Sequence, residues 1–411
     1  MHFLWFIFLA CSLRAVFASV ELLKVQGNYS GEVQSIQHHS KTRQLVIELK
    51  LSRRCVKPTF RVRISGTALY ILDLLQAKTD KLIYGYPKLR DEGEYFIEVI
   101  ALMCNNFEPD NFVHTCLERV EDRANIVASP YNFSVSANEV SGKIRPRWVL
   151  NNTNNASLLP TRYQKTNCAT EQFSWCSTNS SQLQQYGLYN WVDKPSYNQT
   201  LRDVLKSSTI PSKNATINVC MMGDSHAHML KLYGVRLKLP MVQFKYIPSS
   251  FPHEFNVSTI ATNRCSYAIV TYGQWPASSM TNGQPYTQTK YQEEMRRVMT
   301  LLQKCDRNQT QVFVRSENYT PLMARQTTCP PTDYRIPPVI DMYNAVLKQL
   351  SKELGVEYID TNNIMGPMWD SAQDWYHPVG KVAIAEVEWI LWHILQSSLR
   401  RKLGVVLHAT E

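Results

Sequence analysis

The sequence predicts a three-layer α/β/α domain built on a parallel sheet, preceded by a β-sandwich. Three observations carry that reading. From about residue 214 onward, short apolar runs rich in β formers alternate with amphipathic helical segments, the pattern of a doubly wound parallel sheet. From about 20 to 140 the chain shows period-2 alternation instead. Between the two, Val149 to Ser157 (VLNNTNNAS) is polar and has no period, which marks a linker. At 411 residues the chain is long enough for two or three domains and a sizeable core.

The elements follow in order. His2 to Leu13 is a short apolar run, and Val16-Phe17-Ala18 puts small residues where a signal peptidase reads, so 1–18 is expected to be a secretory signal peptide cleaved after Ala18. Residues 19–140 are expected to form the sandwich. Gln44 to Leu51 and Phe60 to Ile64 alternate, and Tyr95 to Leu102 is a third strand of strong β formers. Asp91-Glu92-Gly93-Glu94-Tyr95 at the start of that strand resembles the tyrosine corner of immunoglobulin-like sandwiches. The cysteine usual two positions on is replaced by Ile97, so the resemblance is to the architecture and not to antibody domains. The linker is placed at 141–165 and the second domain at 166–405. Its first part, 166–210, reads as an irregular cap carrying Cys168 and Cys176, close enough for a local disulfide. Strands are then expected at 216–222, 245–247, 266–272, 311–314 and 356–359. Helices are expected after Ser225, from Tyr291 through Lys304, from Val339 to Leu354, and from Lys381 to Ser398.

Composition narrows the partners and the compartment. Hydrophobic content is 44% and charged content 19%, which excludes a disordered chain. The net charge is +10, but Lys and Arg are scattered and no cationic run exceeds two residues before Arg400-Arg401-Lys402. That is a solvated basic surface and not a nucleic-acid footprint, although it suits acidic glycans. No stretch approaches the roughly 18 apolar residues needed to span a bilayer. The chain carries ten Asn-x-Ser/Thr sequons, at Asn28, Asn132, Asn151, Asn155, Asn179, Asn198, Asn214, Asn256, Asn308 and Asn318. That density fits a glycoprotein of the secretory lumen, Golgi-resident or exported. Nine cysteines follow the leader, and most should pair in an oxidising lumen. The odd one is expected to be Cys220, a buried free thiol inside an apolar strand. The cysteine spacings do not match a zinc site, and no metal or cofactor is implied.

Chemistry concentrates at two places. In Thr216 to Leu230 (TINVCMMGDSHAHML) a buried strand breaks at Gly223-Asp224, and a helix begins at Ser225. A serine there stands at the carboxyl end of a strand and the amino end of a helix, where free N–H groups suit an oxyanion. Near the other end stands Asp374-Trp375-Tyr376-His377-Pro378. A serine nucleophile needs a base, and the base needs an orienting carboxylate. An aspartate and a histidine three positions apart can meet on one loop. Ser225, His377 and Asp374 therefore make a complete nucleophile, base and orienter. The bland alternatives are that Asp224-Ser225 caps the helix and that His377 is structural. His226 is expected on the rim of the site.

Gly223-Asp224-Ser225-His226 with Asp374-x-x-His377 resembles the SGNH, or GDSL-type, hydrolase superfamily. It is most similar to the PC-esterase branch, which holds trichome-birefringence-like polysaccharide acetyltransferases, luminal domains of sialic-acid O-acetyltransferases and the neurexophilin-and-PC-esterase proteins. The last group carries an immunoglobulin-like domain before the esterase domain. Val270 to Trp275 (VTYGQW) resembles the block where these families have a glycine turn followed by tryptophan, and Thr310 to Ser316 resembles their strand ending in Arg-Thr/Ser. The resemblance implies that Gly273 offers its N–H to the oxyanion beside that of Ser225, with Gln274 as a side-chain donor. The superfamily's usual Gly-x-Asn-Asp block is missing. Arg315 either reaches the site or pairs on the surface, and Trp275, Trp375 and Tyr376 either stack on sugar or fill core and rim.

The implied activity is O-acyl, chiefly O-acetyl, ester hydrolysis or transfer on a carbohydrate through an acyl-serine. The hydrolase needs no cofactor, and a transferase would need an acyl donor such as acetyl-CoA. The contrasting reading is a secreted binding or signalling glycoprotein on an inactive esterase-like scaffold. The intact serine, histidine and aspartate set weighs against it. Oligomeric state is not legible in the sequence.

Overall fold

The computed structural model describes residues 31–39, 44–51, 59–71, 75–76, 81–85, 91–103, 107–112, 131–135, 147–150, 189–192, 216–278, 284–305, 309–318, 334–367, 377–378 and 380–402. The expected signal peptide, the disulfide expected between Cys168 and Cys176, and the sequons at Asn28, Asn151, Asn155, Asn179, Asn198, Asn214 and Asn308 lie outside the described residues.

The amino-terminal part is antiparallel. Strands β1 (Gly31–His39), β2 (Gln44–Leu51) and β6 (Lys81–Gly85) form one sheet in the order β1-β2-β6. A seven-stranded sheet runs β10-β9-β4-β3-β7-β8, with β5 (Leu75–Gln76) paired to β3. Its members are β3 (Thr59–Gly66), β4 (Ala68–Ile71), β7 (Gly93–Met103), β8 (Tyr131–Val135), β9 (Arg147–Leu150) and β10 (Tyr189–Val192). Residues 147–150 fall in the stretch expected as linker and 189–192 in the expected cap, yet both are strands of this amino-terminal sheet. Isolated four-residue runs such as these acquire strand character by pairing, which local pattern does not reveal. Tyr95 is fully buried and its hydroxyl donates to the Asp91 carbonyl at 2.8 Å.

The carboxy-terminal part is a five-stranded, wholly parallel sheet in the order β12-β11-β13-β14-β15. Its strands are β11 (Ile217–Gly223), β12 (Val242–Pro248), β13 (Tyr267–Thr271), β14 (Gln311–Arg315) and β15 (Glu357–Ile359). The helices are α1 (Ser225–Arg236), the short α2 (Ser258–Thr262), α3 (Gln288–Leu302), α4 (Pro337–Leu354), α5 (Asn362–Met365) and α6 (Gly380–Lys402). Side-chain alternation sorts each strand between two cores. Val219, Met221, Ile269 and Phe313 pack with Leu230 of α1 and Val387, Ile390 and Ile394 of α6. Cys220, Met222, Val270 and Val314 pack on the other face with Met295 and Val298 of α3 and Tyr343 and Val346 of α4. These are the three layers. The proline pair at the start of α4 and the left-handed Gly355 after its end set that helix's limits.

The two parts share packing. Phe112 is buried in the same core as Tyr334, with ring centroids 5.4 Å apart. Asp110 Oδ1 accepts from Thr289 N at 2.8 Å in the first turn of α3, and Trp148 Nε1 donates to the Ile364 carbonyl at 2.9 Å. No helix among the described residues is long and apolar enough to cross a membrane.

The expected free thiol at Cys220 is a correction. Cys220 is bonded to Cys265, with Cα atoms 5.7 Å apart, and Cys305 is free and half-buried. Parallel pairing puts Cys220 beside Ala268, so Cys265, just ahead of β13, falls within bonding reach. The expected sequon at Asn318 is also corrected. Asn318 is 1% exposed and its Nδ2, the atom a glycan would need, donates to both carboxylate oxygens of Glu386 at 2.9 and 3.1 Å. A glycan there is incompatible with the fold, whereas Asn256 is exposed. Intact-glycopeptide mass spectrometry on folded protein should therefore find no glycan at Asn318.

Candidate active site

The site begins with the strand order. β11 connects to β12 on one side and has β13 on the other, so the sheet's direction of winding reverses at the carboxyl end of β11. Parallel α/β sheets bind ligands at that switch point. Gly223 ends β11 with φ +147°, a conformation that favours glycine, and a Cβ on it would overlap the carbonyl oxygen of Thr271. The chain can therefore turn sharply while the ends of β11 and β13 stay in contact, with Gly223 paired to Thr271.

Asp224 is the N-cap of α1. Its Oδ1 accepts from His226 N at 2.9 Å, and the residue is 2% exposed. Because Asp224 does the capping, Ser225 is left exposed at the first helical position. His377 Nε2 lies 2.8 Å from Ser225 Oγ. That is hydrogen-bond distance for a nucleophile and its base. The hydroxyl of Tyr233 on α1 accepts from Gly380 N at 3.1 Å, tying the first residue of α6, three past His377, to the helix that begins at Ser225. Asp374, Trp375 and Tyr376 lie outside the described residues.

His226 is not on the rim. It is 3% exposed, and its ring centroid stands 5.1 Å from that of His377. A helix start turns successive side chains by about 100°, so the residue after an outward serine points inward.

Gly273 follows Thr271 by two residues, as Ser225 follows Gly223, which places both turns side by side above the paired strand ends. Gly273 is buried against Glu317, and a Cβ there would overlap the glutamate's Cγ. Gln274, expected to offer a side-chain donor to an oxyanion, is 2% exposed and its Nε2 donates to the Asn318 carbonyl at 2.7 Å. It braces the turn. Trp275 is half-buried, with its ring centroid 6.3 Å from that of Phe251. Arg315, for which surface pairing was one expectation, is fully buried. It pairs with Glu386 of α6 and donates through Nη2 to Thr271 Oγ1 at 3.0 Å.

At the ends of β13 and β14, then, lies a buried polar layer that sequence reasoning missed. Glu317 accepts from the Thr271 hydroxyl, and its backbone is gripped by Asn344 of α4, with Glu317 N to Asn344 Oδ1 at 2.6 Å and Asn344 Nδ2 to Glu317 O at 3.0 Å. Glu386 was visible as a charge inside the apolar face Val382, Ile390, Ile394 of the last helix, a pattern that usually signals a buried partner.

Burial, reinforced by the charge of Glu317, pushes the Asp224 carboxyl up to about 7, against the opposing pull of the His226 N–H and Arg315. The folded state thus holds the proton more tightly than the unfolded chain, where the group sits near 3.8. The contribution to stability is fully present below about 3.8 and is lost as pH rises through about 7. Asp224→Asn keeps the cap and removes the charge. Its thermal midpoint should vary less between pH 4 and 8 (about the span of the two values) than the wild type's, and exceed it above pH 7; scanning calorimetry across pH checks this.

No protein-family model matches the sequence, and no curated protein matches it. Among solved structures the chain is similar to a protein assigned as a GDSL-like lipase from Parabacteroides merdae ATCC 43184, at 14% identity over 46% of this chain and 100% of that one, with TM-score 0.30. It is similar to one assigned as an arylesterase from Agrobacterium tumefaciens str. C58, at 11% identity over 44% and 99% of the two chains, with TM-score 0.32. The catalytic domain of peptidoglycan O-acetyltransferase A from Streptococcus pneumoniae is matched at 12% identity over 46% and 96%, with TM-score 0.31. In its Gly-Asp-Ser-His turn, its parallel sheet and the pairing of Ser225 with His377, the α/β domain resembles the SGNH, GDSL-type hydrolase superfamily.

Proposed function

We propose that the protein is a serine-dependent esterase or acyltransferase acting on O-acyl groups of carbohydrates, acetyl foremost. The observation that carries the reading is the 2.8 Å approach of His377 Nε2 to an exposed Ser225 Oγ at a helix amino terminus. Ser225 Oγ bonds to the acyl carbon as its proton passes to His377 Nε2. The carbonyl electron pair moves to oxygen, facing the N–H of Ser225 and of Gly273. Collapse expels the sugar oxygen, which takes the proton from His377. Water or a second sugar hydroxyl then attacks the acyl-serine by the same steps in reverse. Asp374 is assigned to orient His377. The hydrolase needs no cofactor, and transfer would require an acyl donor such as acetyl-CoA. We assign the chain to the secretory lumen or the cell exterior, behind a signal peptide and an immunoglobulin-like domain; the buried disulfide and the Tyr95 corner support that assignment.

The test is acetyl release from O-acetylated glycans, with and without free sugar acceptors. Release to water marks a hydrolase and acetyl gain on the acceptor a transferase. If neither occurs above the level of a Ser225→Ala variant, the activity is rejected in favour of a binding scaffold.

A further inference from the structure

We propose that Glu317 is a positioning residue, whose buried side chain fixes the Thr271–Gln274 turn against the nucleophile. The inference rests on the reading of Ser225 as nucleophile and of the Gly273 N–H as an oxyanion donor. Three contacts converge on it, and a fourth falls on the next residue. The side chain lies directly under Gly273, so closely that the glycine has no room for a Cβ. Its Oε1 accepts from the hydroxyl of Thr271, the last residue of β13, which in turn accepts from Arg315. Its backbone is held at both N–H and carbonyl by the Asn344 amide of α4. One residue on, the Asn318 carbonyl receives the Gln274 amide at 2.7 Å. The segment after β14 thus grips the last residue of β13, Thr271, and the turn beyond it at Gly273 and Gln274, the three positions that set where the Gly273 N–H stands.

A surface loop would not need such a clamp. An oxyanion donor does, because misplacement by about 1 Å costs on the order of a hundredfold in rate. Charge would be a poor tool here, since a carboxylate beside the developing oxyanion opposes it. The groups facing Glu317 are Arg315 from β14, Asp224 at the start of α1, Glu386 of α6, Tyr291 of α3 and Tyr358 of β15. Three carboxyls therefore surround one guanidinium. Burial pushes Glu317 upward from the ordinary carboxyl range, against the pull of Arg315 and Thr271. A side chain that accepts one hydrogen bond through Oε1 and fills the space under Gly273 is what an amide can replace.

The experiment compares wild type, Glu317→Gln and Glu317→Ala in two measurements. The first is the rate of Ser225 labelling by a fluorophosphonate. The second is amide hydrogen exchange, read by mass spectrometry, in peptides spanning 271–275. The expected result is labelling slowed about tenfold or more in E317A, with faster exchange in that peptide, and both restored to within about threefold in E317Q. Native labelling and exchange in E317A would overturn the proposal. So would E317Q labelling as slowly as E317A with native exchange, since the residue would then act through charge. If E317A does not fold, Thr271→Val, which removes the hydroxyl that Glu317 holds, should shift both measurements in the same direction, and no shift overturns the proposal. If wild-type Ser225 takes no label, the nucleophile reading has failed. The exchange measurement needs no activity and still decides whether Glu317 holds the turn.

Discussion

Ser225→Ala is expected to abolish ester turnover and fluorophosphonate labelling while leaving the thermal midpoint within roughly a degree or two of the wild type's. Ser225 is exposed and its hydroxyl has His377 Nε2 as partner, so losing it removes nothing from the core. The helix keeps its cap, because Asp224 and not Ser225 accepts the His226 N–H. The proposed chemistry, in contrast, loses the atom that attacks. Nucleophile knockouts of this class cost about 10⁴- to 10⁶-fold in kcat. His377→Ala should cost a comparable factor, and the double variant little more than either alone, since the two groups act as one unit. Steady-state hydrolysis of p-nitrophenyl acetate measures all three. A Ser225→Ala enzyme that retains a tenth of wild-type turnover would remove this serine from the mechanism.

Arg315→Met should be the most damaging stability change in the α/β domain. Arg315 is fully buried, and its guanidinium is the counter-charge to Glu386 and a neighbour of Glu317 and Asp224. Truncation leaves Glu386 with only the Asn318 amide, in a place no solvent reaches. Breaking one partner of a buried pair costs about 3–5 kcal/mol. For a domain of this size that lowers the midpoint by about 10 °C. Adding Glu386→Gln to Arg315→Met should recover part of the loss, because the orphaned charge goes while the hydrogen bond from Asn318 stays possible. Chemical unfolding of the single and double variants measures the coupling. No recovery would mean that the arginine acts through shape alone.

These two predictions differ in where their information came from. Ser225 and His377 were legible because each sits in a short motif whose chemistry is local: a strand broken by Gly-Asp, a serine at the first helical position, a histidine just before the last helix. The five parallel strands were legible for a similar reason. Their apolar runs and the helical spacing between them are set by side-chain direction within each element. The Arg315–Glu386–Glu317 layer was not, since it joins the end of β14 and the loop just after it to α6, 71 positions from Arg315. Only the charged residue standing among Val382, Ile390 and Ile394 hinted at it.

By itself, then, the sequence determined the α/β/α layering, the strand that breaks at Gly223-Asp224 ahead of Ser225, and the histidine that meets that serine, because periodicity and turn chemistry act over a few residues. The tertiary structure alone decided that Cys220 bonds to Cys265, that Asn318 is closed to a glycan, and that residues 147–150 and 189–192 extend the amino-terminal sheet. It also decided that Gln274, expected as a side-chain donor to an oxyanion, bonds to the Asn318 carbonyl, and that Arg315, expected either at the site or paired on the surface, is buried against Glu386 and Thr271. Each of these depends on strand order and register, which are fixed by contacts between distant segments, and a polar side chain's task is set by whichever partner that packing brings within about 3 Å.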